Sequence, residues 1–310
     1  MDLNSLSVII VSWNTCQQLE NCLDSILRNP PSSPFEIWVV DNDSTDKTTQ
    51  MVRERFSQVH LLENPINEGF ARANNKAIKQ SIGKYILLLN PDTLVESCSL
   101  ETLVDFMEKT PDAGAAGAKL LNLDGSMQIS SRPRLTLTRE ISRMFHLDRI
   151  LPYSEYPQVK WKTTIPQEVD VIMGACMIVR REVLDLIGYL DEDYFIYTEE
   201  VDLCYRIQRA GWRLYWVPQA EVVHIGGQST QQVPTEMFLN LYQSKIQYFH
   251  KHNGKLVAQI YKFILVFASL SRIVFTPIIF FEKGAHRQKH LTLVDRYWRL
   301  ILSLLGKIES

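Results

Sequence analysis

Several signatures that would settle a chemistry at once are missing from this sequence. It has no G-x-G-x-x-G and no G-x-x-x-x-G-K-[ST], so dinucleotide oxidoreductases and P-loop nucleotide hydrolases lose their main support. It has no G-x-S-x-G either, which removes the nucleophile elbow of a serine hydrolase. Cysteine is scarce: Cys16, Cys22, Cys98, Cys176 and Cys204 are odd in number and form no C-x-x-C pair. That excludes a disulfide framework, a zinc knuckle and a redox pair, and points to a reducing, cytoplasmic setting. The opening MDLNSLSVIIVSW lacks the basic segment and long apolar core of a secretion signal. No internal repeat and no low-complexity tract is visible.

What is present is ample material for a core. The chain has 310 residues, 45% apolar and 22% charged, enough for one large or two modest globular domains. Net charge is only −2, but from Lys245 onward eleven Lys and Arg face three Asp and Glu, a local net of +8 that leaves −10 for the rest. Such a division suggests an acidic domain followed by a tail that prefers anionic surfaces, with no nucleic-acid partner. A solvated basic tail is the plainer alternative.

Four short apolar runs, SVIIVSW (7–13), EIWVVDN (36–42), VHLLEN (59–64) and YILLLN (85–90), alternate with segments of helical spacing. In the first of these segments Leu19, Cys22, Leu23, Ile26 and Leu27 mark one helix face. Continuous rather than alternating hydrophobicity implies strands covered on both sides, hence a mostly parallel sheet in an α/β fold. A helix near 99–109 follows, and 126–166, rich in proline and arginine without clear period, reads as a long irregular connection. Order returns at VDVIMGACMIVRREVLDLIG, a strand then a helix. A further helix carries Val201, Cys204, Tyr205 and Gln208 on one face, with Gly211 as its C-cap and the acids Glu199, Glu200 and Asp202 in its first turn.

The C-terminal part differs in kind. Residues 256–281 are apolar but interrupted by Lys262 and Arg272, with only nine uncharged residues between them, against the roughly 20 apolar residues of a spanning helix. On a helical wheel Gln259, Lys262, Ser269, Arg272 and Thr276 form one stripe and Phe263, Phe267, Leu270 and Val274 the opposite one. This favours an interfacial or partner-packed helix over a span. A second segment, LTLVDRYWRLILSLLGK, adds Arg296, Tyr297, Trp298 and Arg299, residue types suited to a headgroup region. Two helices packing on the protein's own core would read the same way.

Chemistry-bearing residues gather at strand ends. Asp41-Asn42-Asp43-Ser44-Thr45-Asp46 closes the second strand, NPINEGFARANN the third and Asn90-Pro91-Asp92 the fourth. Alone each is turn chemistry. Together they deliver polar groups to the carboxyl edge of a parallel sheet, where ligands of open α/β sheets bind. The pair Glu199-Glu200 would split its proton affinities and leave one acid poised as a general base, or would simply be a solvated helix turn. His224, in VVHIGGQST, is either a structural hydrogen-bonding group or a neutral imidazole completing a divalent-metal shell.

The stretches SVIIVSWN, VVDNDSTD, NPINEGFARANN, LLLNPDT, GACMIVRREVLDLIGYLDEDYFIYTEEVDLCYRIQRAGW and VVHIGGQST, in this order, resemble the family 2 glycosyltransferases of GT-A fold. The likeness covers residues 5 to about 250 and is strongest to the bacterial rhamnosyltransferase-like branch. It implies a GT-A domain over 1–250, with a mixed, mostly parallel sheet flanked by helices, and a basic amphipathic C-terminal region over 251–310.

Carried over residue by residue, the resemblance places the nucleotide base on Asp41, with Asn14 beside it, and the diphosphate along Asn67, Gly69, Arg72 and Asn74. The D-x-D position falls on Asn90-Pro91-Asp92, so that Asp92, with His224, would hold Mg²⁺ or Mn²⁺ while Asn90 contributes no charge. The acid pair falls on Glu199-Glu200-Val201-Asp202, making Glu200 the catalytic base, a glutamate where the branch more often has aspartate. The implied activity is inverting transfer of a sugar, rhamnose from dTDP-rhamnose, to a saccharide on a polyprenyl diphosphate. The setting would be cell-surface polysaccharide synthesis at the inner face of the membrane. The rival is a catalytically inactive nucleotide-sugar or glycan-binding module on the same fold.

Overall fold

The structure is a computed structural model; it describes residues 5–147, 154–158, 161–228, 232–274 and 285–306, without the side chains of 285–290. Thr276, placed above on a helical stripe, lies outside these residues. The elements run β1 (Leu6–Ser12), α1 (Cys16–Arg28), β2 (Phe35–Asp41), α2 (Thr48–Arg55), β3 (His60–Glu63), α3 (Phe70–Gln80), β4 (Tyr85–Leu89), β5 (Thr93–Val95), α4 (Ser99–Lys109) and β6 (Ala113–Leu121). They continue with β7 (Ser131–Arg132), α5 (Leu137–Met144), β8 (Gln167–Glu168), β9 (Val171–Ile172), β10 (Cys176–Arg180), α6 (Arg181–Ile187), α7 (Glu199–Arg209), β11 (Arg213–His224), α8 (Pro234–Asn253), α9 (Lys255–Val274) and α10 (Ala285–Leu304).

Nine strands form one sheet in the order β3-β2-β1-β4-β10-β6-β11-β5, with β8 on β11. The four apolar runs of the sequence are its first four strands, and β1 pairs in parallel with β2 and β4, and β2 with β3. β10 runs antiparallel between β4 and β6, while β11 is parallel to β6 and antiparallel to β5. Successive side chains of a strand point to opposite faces, so one continuous apolar run feeds two cores. Val8, Ile10, Val39, Leu87 and Leu89 pack with α1, α2 and α4. Their neighbours Ile9, Val11, Val40, Ile86 and Leu88 pack with α3, α6 and α7. The face of α1 read from spacing is the buried one, with Leu19, Cys22, Leu23 and Ile26 inside. All five cysteines are free, and burial pushes the thiols of Cys22, Cys176 and Cys204 up to about 12, so these three stay protonated.

Two compact units emerge, one of Met1–Arg134, Glu155–Phe195 and Glu199–Gln232, which holds the sheet, and one of Leu135–Ser154, Ile196–Thr198 and Val233–Ser310. The division therefore falls before α8 rather than at residue 250, and the second unit also takes in α5.

That helix corrects the reading of 126–166 as wholly irregular. It is short, and polar Glu140 and Ser142 are buried beside apolar Met144. Glu140 is 1% exposed, and its Oε2 accepts from Lys245 Nζ at 2.7 Å and from Tyr261 Oη at 3.0 Å. Burial alone would raise its pKa, but the charges of Lys245 and Arg143 outweigh it and hold the carboxyl below its ordinary value. The start of α5 is an ordinary N-cap, with Arg139 N donating to Thr136 Oγ1 at 3.3 Å.

α9 is apolar on both its buried and its exposed side. Ala258, Tyr261, Leu265, Ala268 and Ser269 are its buried side. Arg272 belongs to that side too, donating to Tyr297 Oη at 2.6 Å and to the Met144 carbonyl at 2.8 Å. The outward row is Leu256, Ile260, Phe263, Phe267, Leu270 and Val274, with Phe263 73% and Val274 67% exposed. By length and composition alone α9 is also apolar enough to cross a membrane. Arg272 is paired inside the unit, and the outward row is left exposed among the described residues.

Candidate active site

The ends of β1 and β2 are tied together by short polar side chains. Asn14 sits at φ 51°, a left-handed conformation that Asn tolerates better than most residues. Its N–H donates to Ser44 Oγ at 2.9 Å, and its Oδ1 accepts from Thr45 N at 2.7 Å. Asp41, 3% exposed, accepts from Ser44 N through Oδ2 at 3.0 Å. Its Oδ1 is buried with no hydrogen-bond partner in the protein. Burial, with smaller contributions from the charges of Asp46 and Glu63, raises its pKa despite the bonds to Ser44. A buried orphan acceptor is costly unless something donates to it, which suits an N–H of a nucleobase.

Asn42, read from sequence only as a turn residue, is the organiser of the neighbouring loop. Its Nδ2 donates to Asn67 Oδ1 at 2.7 Å and to the Gly69 carbonyl at 3.3 Å. Its Oδ1 accepts from Asn64 Nδ2 at 2.9 Å and Glu68 N at 3.1 Å. Asn67 also accepts from Gly69 N at 3.0 Å, closing the turn that starts α3. Gly69 has φ 83°, and a Cβ there would stand 2.4 Å from the Phe195 carbonyl, which accepts from Phe70 N at 2.7 Å. Gly69→Ala is expected to cost about 2 kcal/mol or more, from the left-handed backbone and the clash together. Gly125→Ala separates the two, since Gly125 has φ 79° with nothing within 4 Å of the added carbon. Urea denaturation of both variants should show the larger loss at Gly69.

Sheet register builds the next part. Pro91 ends β4, and β5 re-enters the sheet beside β11 with Thr93 opposite His224. That places His224 Nε2 3.4 Å from Asp92 Oδ1 and 3.4 Å from Asn90 Nδ2. The tautomer follows from Gln128. Gln128 Nε2 donates to Asn122 Oδ1 at 3.1 Å and to the His224 carbonyl at 3.3 Å. Its Oε1 therefore faces His224 Nδ1, 2.7 Å away, and that ring nitrogen carries the hydrogen. Nε2 then carries the lone pair, with Asn90 Nδ2 as a long donor at 3.4 Å and the Asp92 carboxylate oxygen also 3.4 Å away, an arrangement that can admit a cation between nitrogen and carboxylate. Two donors each about 2.1 Å from a shared ion and roughly 90–110° apart lie about 3.0–3.4 Å from each other, so the pair fits a divalent metal. Among the described residues no third His, Cys, Asp or Glu joins them, so further ligands must come from substrate or water.

Glu199 and Glu200 open α7. Tyr197 and Thr198 before them have φ of 67° and 70°, consecutive left-handed non-glycine residues of the kind that persist where geometry is functionally held. Glu200 packs by its stem over Gly174, where an added Cβ would lie 3.6 Å from its own Cβ. The next residue, Ala175, accepts from Asn90 N at 3.0 Å, so Glu200 and Asn90 share a neighbourhood. Glu199 is 5% exposed, and burial first and the charge of Glu200 second push its carboxyl well above the ordinary range. Of the two coupled carboxyls, Glu199 is the one that burial favours in the protonated form. A raised carboxyl pKa contributes stability that is complete below the unfolded value and is lost as pH rises through the folded one. Glu199→Gln should therefore melt progressively higher than the parent as pH rises from about 4.3, by roughly 3 °C per unit until Glu199 ionises.

Not every candidate residue reaches this constellation. Asp202 is fully buried and bound to Arg206 Nε at 2.6 Å. Arg206 in turn donates to the carbonyls of Ile187, Gly188 and Tyr189, so Asp202 anchors α7 instead of presenting a free carboxylate. Asn74 is buried and donates to the Phe70 carbonyl at 2.8 Å, although its Oδ1 has no partner. Arg72 is 55% exposed with Glu192 3.9 Å away. Asn75 binds the 190–192 turn, donating to Leu190 O at 2.8 Å and to Glu192 Oε1 at 3.0 Å.

Residues 7–188 match the model of glycosyl transferase family 2. The chain is 32% identical over 249 residues to the N-acetylglucosaminyl-diphospho-decaprenol L-rhamnosyltransferase of Mycobacterium tuberculosis, covering 74% of this chain and 78% of that one. It is 25% identical over 231 residues to the rhamnosyltransferase WbbL of Escherichia coli, covering 70% and 82%. In fold it is similar to the mannosyltransferase PcManGT of Pyrobaculum calidifontis, solved with GDP-Man and Mn²⁺, at a TM-score of 0.59 and 18% identity over 97% of this chain and 86% of that one. It is likewise similar to GalNAc-T7, solved with UDP, GalNAc and Mn²⁺, at 0.59 and 18% over 80% and 48%. With the GT-A sheet, the strand-end site and these matches in agreement, the chain belongs to glycosyl transferase family 2 and resembles its rhamnosyltransferase branch.

Proposed function

We propose that the protein is an inverting, metal-dependent rhamnosyltransferase. Its donor is dTDP-rhamnose and its acceptor a saccharide on a polyprenyl diphosphate, in cell-surface polysaccharide synthesis. The observation that carries this reading is the convergence of the Asp92–His224 pair, with its fixed tautomer, on the neighbourhood of Glu200. The transferred sugar and the acceptor class are those in the name of the M. tuberculosis relative, extended to this chain, and dTDP as the carrier follows from the resemblance to the rhamnosyltransferase-like branch.

In this reading Asp41 Oδ1 accepts from the N–H of the pyrimidine base. Asn67, Gly69 and the start of α3 line the diphosphate, with Arg72 reaching it from the helix. Asp92 and His224 would hold the divalent ion, which when bound would supply positive charge against the leaving diphosphate. Glu200 takes the proton of the acceptor hydroxyl as its oxygen bonds to the anomeric carbon. The anomeric carbon–oxygen bond breaks, and its electron pair leaves with the nucleoside diphosphate. Glu199 keeps its proton, so Glu200 retains the charge it needs as a base, and Asp202–Arg206 fixes the helix that carries both. One displacement on one face inverts the anomeric centre.

The outward apolar row of α9, beside a C-terminal net charge of +8, supports a peripheral position on an anionic membrane at the cytoplasmic face, where a polyprenyl-linked acceptor is presented. A panel of nucleotide sugars, tested for protection against thermal unfolding with and without Mn²⁺, checks the donor. Metal-dependent protection by dTDP-rhamnose above UDP- and GDP-sugars is expected, and preferential protection by another donor would reassign the sugar.

A further inference from the structure

Within the helical unit, α8, α9 and α10 enclose an open cavity of about 330 Å³. Its polar lining is Gln243, Gln247, His250, Gln259, Lys262 and Ser303, with no carboxylate among the lining residues. Lys262 is half-buried and makes no ion pair or hydrogen bond with any described residue. Gln243 Nε2 donates to Ser303 Oγ at 3.0 Å and keeps one further N–H, and with Gln247 and Gln259 it surrounds a sheltered ammonium without a counter-ion, a cradle for an anion. The place of the cavity narrows the choice. Gln259 lies one helical turn before Phe263, so the cavity and the outward apolar row share an edge of α9. A helix seated by its apolar row sinks about 5–10 Å into the headgroup boundary, which brings its flank to phosphate level.

We infer that this cavity is a binding site for the phosphate group of an anionic lipid, with Lys262 as its charged ligand and the amides of Gln243, Gln247 and Gln259 as donors. The inference rests on the peripheral-membrane reading and assigns it a stereospecific contact in place of diffuse charge attraction. Apolar residues of α9 enter the acyl layer while the cavity holds one headgroup beside them.

The test uses the full chain and vesicles of phosphatidylcholine with or without phosphatidylglycerol, read by co-sedimentation. The wild-type chain is expected to partition onto the phosphatidylglycerol vesicles. Lys262→Gln should lower that partitioning by at least about tenfold, as for a lost charge-assisted hydrogen bond. Lys255→Gln, the same charge change at an exposed position of the same helix, should lower it by about fivefold or less. Raised salt should erase the Lys255 effect and leave most of the Lys262 effect, because a sheltered pair is screened less. Equal losses from the two variants, with equal salt dependence, would overturn the cavity site while leaving membrane association standing. No partitioning of the wild-type chain would overturn both. Full competition by soluble glycerol phosphate would reassign the cavity to a free phosphate ester. Melting temperatures matching the parent show that either loss is one of binding rather than of folding.

Discussion

Glu200→Gln is expected to lower the transfer rate by about 10²–10⁴-fold while leaving the donor KM unchanged. The substitution keeps size and shape and removes only the ability to accept a proton. Glu200 packs beside Gly174, next to the Asn90 turn, and its partner Glu199 is held protonated by burial and by the charge of Glu200 itself. Glu199→Gln therefore replaces one neutral hydrogen-bonding group by another and should leave most of the activity. The contrast is the informative part. If Glu199 were the base, the two variants would exchange effects, and near-normal turnover by Glu200→Gln would remove the assignment. Measurement of kcat and KM for both variants under saturating Mn²⁺ distinguishes these cases.

The second large effect is expected at Asp92. Asp92→Ala should reduce transfer by at least about 100-fold and abolish metal-dependent protection by nucleoside diphosphate, because one of the two ligands proposed among the described residues is lost. Asn90→Asp should stay active and need less metal. Asn90 lies 3.4 Å from the same imidazole nitrogen but brings no charge, and an aspartate would supply the second carboxylate of a D-x-D pair. Metal titrations of donor-dependent thermal protection report on binding apart from turnover. Equal loss from Asp92→Ala and Asn90→Asp would mean that Asn90 contacts the sugar rather than standing where a ligand could be.

Much of this site was legible because strand ends are written locally. An apolar run followed by Asn-Pro-Asp, or by Asp-Asn-Asp-Ser, declares both the strand and its end, and β1 to β4 fall where those runs predict. The acid pair at the start of α7 was legible for the same reason. Partnerships across long separations were not. Nothing in Gln128 announces that it orients His224, 96 residues away, since that depends on the path of the chain out of β6. Asn42 reads as a turn former because its four partners lie in the next loop. Asp202 and Glu199 look equivalent to Glu200 in sequence, and only burial and Arg206 separate them. α5 is hard to read from sequence because it is only eight residues long, with Leu137, Ile141 and Met144 as its few apolar positions and a paired Glu140 buried beside them. The polar stripe of α9 divides: Gln259 is exposed, whereas Ser269 is buried and Arg272 finds Tyr297 and the Met144 carbonyl within the helical unit.

The central claim is that this arrangement performs metal-dependent transfer with inversion rather than binding a sugar nucleotide without turnover. The measurement that meets it most directly is a proton NMR time course of the full chain with dTDP-rhamnose and a polyprenyl-diphosphate-linked N-acetylglucosamine, with Mn²⁺ and with chelator. The account predicts loss of the donor anomeric signal, appearance of a glycosidic anomeric signal of opposite configuration, and no turnover in chelator. Donor protection without any new glycosidic signal, across the donor panel, would contradict it and leave a binding module on a transferase fold.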